Sequence, residues 1–146
     1  MCILHKNIII NTPAEPVWTV LGDPKQYARF NPNISDFTFT PYDNGGFEGN
    51  WMYALGQLKL RGKLRTVVYE PNRQLVVESC GQMKSKWSWY LETDGYWTHL
   101  ALSVDYTAKW SSVGEVLHEL VLEYMHDEVL GEYLRNIKLA AEKVKR

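Results

Sequence analysis

The sequence predicts an α+β domain, a seven-stranded curved antiparallel sheet wrapped around one long C-terminal helix, with two short helices between strands 1 and 2. Three observations carry this. The run Ile8-Ile9-Ile10 meets two helix-start signals in succession, residues 34 to 107 alternate in period 2 between turn signals, and the last third carries a helical apolar stripe. At 146 residues, folding buries roughly 70% of the unfolded surface around a single core. Residues 1–146 therefore read as one domain.

The first strand closes at Ile10. Thr12 then caps a helix that has Pro13 at its first position and Glu15 three residues after the cap, the pattern of a capping box. Asp23-Pro24-Lys25-Gln26 repeats the device directly after Gly22 ends the first helix. Turns follow at Asn44-Gly45-Gly46, Leu55-Gly56, Pro71-Asn72, Cys80-Gly81 and Asp94-Gly95, which separate six further strands.

The clearest strand runs from Leu58 to Val68, with mostly apolar even positions and Lys59, Arg61, Lys63 and Arg65 at odd ones. One face is buried and one is wet. The same rule puts Trp51 with Tyr53, Leu75 with Val77, Trp87 and Trp89 with Leu91, and Leu100 and Leu102 with Val104 and Tyr106, all on one concave side. Ser111 or Ser112 caps the last helix, which is expected to run to about Val144. At about 100° per residue, Val113, Val116, Leu120, Tyr124, Leu130, Gly131, Leu134, Ile137 and Ala141 form its apolar stripe. The basic residues Lys138, Lys143, Lys145 and Arg146 suit the negative end of the helix dipole.

The entry segment Ile10-Asn11-Thr12-Pro13-Ala14-Glu15-Pro16-Val17-Trp18-Thr19-Val20-Leu21-Gly22-Asp23-Pro24, followed by Tyr27, together with this element order, resembles the helix-grip fold of the START-like (SRPBCC) superfamily. The resemblance is strongest to its polyketide cyclase/dehydrase and lipid-transport branch and spans nearly the whole chain. It implies an apolar cavity gripped between sheet and C-terminal helix. No catalytic motif of the superfamily is specific enough to be carried over.

Charge and motifs narrow the function. With 16 Lys and Arg against 17 Asp and Glu, no global field draws the chain to nucleic acid or to an anionic membrane. No apolar run approaches the length of a membrane span, so stable membrane insertion is not expected. Met1-Cys2-Ile3-Leu4 runs straight into His5-Lys6-Asn7 without a signal-peptide pattern, which makes the cytoplasm the expected address. Cys2 and Cys80 read as free thiols. The histidines and cysteines lack zinc spacing, and there is no Gly-x-Ser-x-Gly, P-loop or Gly-x-Gly-x-x-Gly. No metal and no cofactor are called for.

What remains is a container. Aromatic residues make up 13% of the chain, and large apolar side chains around a concave space make a site for a flat or greasy molecule. The candidate lining is Trp51, Tyr53, Leu64, Val77, Trp87, Trp89, Leu102 and Tyr106 from the sheet, with Leu120, Glu123, Tyr124, Asp127 and Gly131 from the helix. Glu123 and Asp127 stand four residues apart within the apolar stripe, so water, a cation, protonation or a polar ligand group must answer them. Gly131 costs the helix about 1 kcal/mol relative to alanine, which calls for close packing, a kink or room for a ligand.

The expected function is binding or transport of a small hydrophobic molecule, lipid, sterol-like or polyketide-like, without catalysis. One alternative is a cyclase or dehydratase in which Glu123, Tyr124 and Asp127 act as acid and base. Another is a protein-partner module similar to the superfamily's chaperone-activating branch. It would dock through the convex basic ladder Lys59, Arg61, Lys63 and Arg65, joined by Lys84 and Lys86 and interleaved with Glu48 and Glu92.

Overall fold

From residue 34 on, each alternating segment pairs antiparallel with the next in the chain, which builds one sheet. The computed structural model describes residues 2–23, 25, 34–43, 45–55, 58–81, 83–108 and 127–143. Its strands are β1 (Cys2–Ile10), β2 (Ile34–Pro41), β3 (Phe47–Leu55), β4 (Leu58–Glu70), β5 (Gln74–Gly81), β6 (Met83–Thr93) and β7 (Thr98–Ala108). They lie in the order β1-β7-β6-β5-β4-β3-β2, every pair antiparallel. Strand β1 thus returns beside β7, while the chain leaving it crosses to the opposite edge by way of α1 (Ala14–Leu21).

Turn chemistry matches the sequence at most corners. Gly45 and Gly46 have φ of 99° and 83° between β2 and β3, and Asn72 has φ of 66° between β4 and β5, conformations that glycine and asparagine reach at least cost. A Cβ on Gly45 would lie 2.3 Å from the Tyr69 ring, so the turn is also pressed against β4. Cys80-Gly81 departs from expectation: both residues belong to β5, and Gly81 pairs with Gly62.

The expected first capping box shifts by one residue. Helix α1 begins at Ala14 with an extended Pro13 in the cap position, which has no side chain able to cap. Thr12 is buried, with its N–H donated to the Ile10 carbonyl and its own carbonyl accepting from Thr98 Oγ1 at 2.8 Å. Thr98 on β7 thus ties down the backbone carbonyl of the residue that local sequence assigned to the cap. At the second signal the Asp23 carboxylate accepts from the Lys25 N–H at 3.0 Å, the bond an aspartate cap makes. The rest of the expected second helix lies outside the described residues.

The C-terminal helix α2 spans Asp127–Lys143. Its expected earlier turns, from Ser111, lie outside the described residues. Leu130, Tyr133, Leu134, Ile137 and Ala141 are buried, and α2 packs on β1 and α1. The core between these layers holds Ile10, Val17, Leu21, Leu75, Leu91, Leu100 and Leu102, none more than 6% exposed.

Candidate functional site

Register decides which side chains share the inner face. Lys6, Leu102, Trp89 and Leu75 stand side by side across four strands, and the next row is Leu4, Val104, Trp87 and Val77. Further along come Ser85, in backbone register with Tyr106, then Ser79 and Leu64, and Trp51 opposite Gly62. Burial changes along this series. Leu75, Trp89 and Leu102 are fully buried, whereas Trp87, Ser79 and Ser85 are only half-buried. Beyond Trp89 the inner face is mixed, with Val104, Val77, Leu64 and Trp51 buried and Trp87, Ser79 and Ser85 among them half-buried.

Tyr133 packs on two of these tryptophans. Its ring centroid is 5.8 Å from Trp89 and 6.4 Å from Trp87, both tilted contacts within the distance range of aromatic pairs. Trp87 Nε1 donates to Ser85 Oγ at 3.2 Å. Trp51 packs against Gly62: a Cβ there would be 2.4 Å from Trp51 Cζ2 and 2.2 Å from the Cys80 carbonyl oxygen. The Trp51 indole N–H is buried and has no hydrogen-bond partner among the described residues. Such a donor carries an unrecovered desolvation cost that an acceptor would relieve.

Trp51, Leu64, Val77, Trp87, Trp89 and Leu102 share this inner face. Register places the backbones of Tyr53 and Tyr106 in β3 and β7, and Asp127 opens α2; their side chains lie outside the description. Leu120, Glu123 and Tyr124 lie outside the described residues. Gly131 faces edge strand β1, where a Cβ would lie 3.3 Å from Lys6 Cε.

Sequence reasoning missed Ser79, Ser85, Tyr133 and Lys6. Tyr133 was within reach, three residues after Leu130 and four before Ile137. Lys6 alternates with Leu4 and Ile8, so period 2 alone turns it inward, against its hydrophilicity.

On the outer face Lys59, Arg61, Lys63, Arg65, Lys84 and Lys86 are all exposed. Pairing sets Glu48, Arg65, Glu78, Lys86 and Asp105 in a row of alternating sign across five strands, with an Arg65–Glu78 ion pair at 3.5 Å. The free, exposed Cys80 lies with Lys63 and Lys84 in a groove of about 560 Å³ on the same region. The expected basic ladder is thus interleaved with Glu48, Glu78 and Asp105. Glu92 instead pairs in register with His99.

Among the described residues no helix is long and apolar enough to cross a membrane, and no three His, Cys, Asp or Glu side chains gather as a metal site. The fold is similar to that of an aromatase/cyclase (Zhui) from Streptomyces sp. R1128, with 17% identity, a TM-score of 0.81, and 97% of this chain and 94% of that one covered. A protein from Thermus thermophilus superposes with a TM-score of 0.79 at 15% identity, covering 97% of both chains. A START superfamily protein from Mycobacterium smegmatis does so with a TM-score of 0.71 at 16% identity, covering 98% and 99%. No curated protein matches the sequence. The family model described as polyketide cyclase/dehydrase and lipid transport matches residues 10–123. With that match over most of its length, and with the seven-stranded sheet and C-terminal helix of START neighbours, the chain belongs to the polyketide cyclase/dehydrase and lipid transport family.

Proposed function

We propose that this protein binds a small, largely apolar ligand between the sheet and the C-terminal helix and acts as a carrier. The observation that carries this reading is the partial exposure of Trp87, Ser79 and Ser85 on an inner face where Trp51, Leu64, Val77, Trp89 and Leu102 are buried. A core that served only stability gains most from uniform closure. The unpartnered Trp51 N–H adds a polar handle and favours a ligand that carries an oxygen acceptor. The match to the polyketide cyclase/dehydrase and lipid transport family supports an apolar occupant of this kind. Apolar burial supplies the affinity, at about 25 cal/mol per Å² before binding costs are subtracted.

The test is titration with the neutral fluorescent probe N-phenyl-1-naphthylamine. Wild type is expected to bind it saturably and one to one. The variant Ser79→Trp, which fills space at the half-buried positions, is expected to lose that binding while its thermal unfolding stays cooperative. Absence of saturable binding to wild type, or undiminished binding by the filled variant, overturns the reading.

A further inference from the structure

Two cations meet at the seam between β1 and α2. Lys6 Nζ and Arg135 Nη1 lie 3.9 and 3.5 Å from the point that a Cβ on Gly131 would occupy. Gly131 is itself buried, and its missing side chain makes the notch over which the lysine stem passes. Among the described residues, neither Lys6 nor Arg135 has a carboxylate at ion-pair distance. The next cation along the same seam is treated differently, for Lys138 is paired with Glu142 and also donates to the Ile9 carbonyl at 3.1 Å. One end of the seam is neutralised within the protein. The other holds two positive groups with, among the described residues, no carboxylate at ion-pair distance.

We propose that Lys6 and Arg135 form an anion subsite over Gly131, and that the ligand is an amphiphile whose carboxylate or phosphate head sits there. The proposal rests on the reading that the inner face takes an apolar molecule, and it adds the chemistry of the ligand's polar end. A guanidinium fork beside an ammonium point charge matches either anion, and charge-assisted hydrogen bonds to such groups are the strong ones. The position also fits an amphiphile. Lys6 stands in the row of Leu102 and Trp89, one row from Trp87, so the subsite adjoins the inner face on which the apolar body would lie.

The experiment is calorimetric titration of the intact protein at neutral pH with 2-naphthoate, 2-naphthyl phosphate, methyl 2-naphthoate and inorganic phosphate. The two anionic naphthalenes are expected to bind about tenfold more tightly than the neutral ester. The double variant Lys6→Met with Arg135→Gln is expected to abolish that preference while leaving the ester's affinity unchanged. Methionine preserves an apolar stem against Gly131 and Arg135 is exposed, so the variant is expected to fold, with its melting curve as the check. Equal affinity of wild type for acid and ester, or a preference that survives in the double variant, overturns the proposal alone. Inorganic phosphate binding as tightly as naphthyl phosphate would make the occupant a free anion and overturn the amphiphile. If neither acid nor ester binds, the ligand-binding reading falls and the subsite falls with it.

Discussion

At Gly62 the Trp51 indole and the Cys80 carbonyl both occupy the space a side chain would need. The second of these is backbone within a paired strand and cannot swing aside. Gly62→Ala is therefore expected to destabilise the protein by about 2 kcal/mol or more, through overpacking, seen as a lower denaturant midpoint at unchanged slope. Gly131 gives the opposite outcome because its nearest neighbour is a flexible lysine stem. Gly131→Ala is expected to gain about 0.5 kcal/mol from helix propensity and, by displacing Lys6, to weaken the preference for an anionic ligand. Calorimetry and a thermal melt on the one variant separate the two effects.

The C-terminal end of α2 is tied to the chain after β1 by an ionic contact rather than by packing alone. Glu142 accepts from Lys138 and from the Asn11 N–H, and these bonds, led by the one from Lys138, hold its carboxyl below the usual glutamate range. A depressed folded pKa means stability that is present above the unfolded value and is lost as pH falls through the folded one. Glu142→Gln is expected to cost about 1 kcal/mol at neutral pH, with the gap to wild type closing below about pH 4. Urea unfolding across that range reads the sign directly.

The β6–β7 hairpin uses the same chemistry at its tip. Asp94 accepts from the N–H groups of Tyr96 and Trp97 at 2.9 and 3.1 Å, and these bonds, led by that from Tyr96, lower its carboxyl pKa. Asp94→Ala is expected to speed amide exchange at Tyr96 and Trp97 without affecting the sealed strand centre at Leu100.

Across the whole molecule the sheet separates two functions by face. The outer charges screen and pair with one another, as Arg65 does with Glu78, and the inner face holds the core and the candidate site. Reversing Lys63 and Arg65 to glutamate is expected to leave the affinity for the neutral probe unchanged, because no inner-face contact is lost. A large loss of probe binding would mean that the face assigned to the ligand is inverted. Leu134→Ala, in contrast, empties a sealed position and is expected to cost about 3 kcal/mol.

Alternation of polar and apolar residues, with turn pairs at Asn44-Gly45 and Asp94-Gly95, was enough to predict seven strands, their inner faces and a covering helix, because strand period and turn conformation are local properties of the chain. That is why Trp51, Trp87 and Leu102 were legible as inward-facing from their spacing alone. Thr12, Cys80-Gly81 and Gly131 were not legible in the same way. Each took the role set by a partner distant in sequence: Thr98 for Thr12, Gly62 for Gly81, Lys6 for Gly131. The partial exposure of Trp87, Ser79 and Ser85 and the meeting of Lys6 with Arg135 likewise arise only in the assembled sheet and helix. Sequence by itself determined the elements and their amphipathic faces, since those depend on neighbours within a few residues. Tertiary structure alone decided which inner-face groups stay half-buried and which charges meet, since register and helix placement bring together residues that no local period relates.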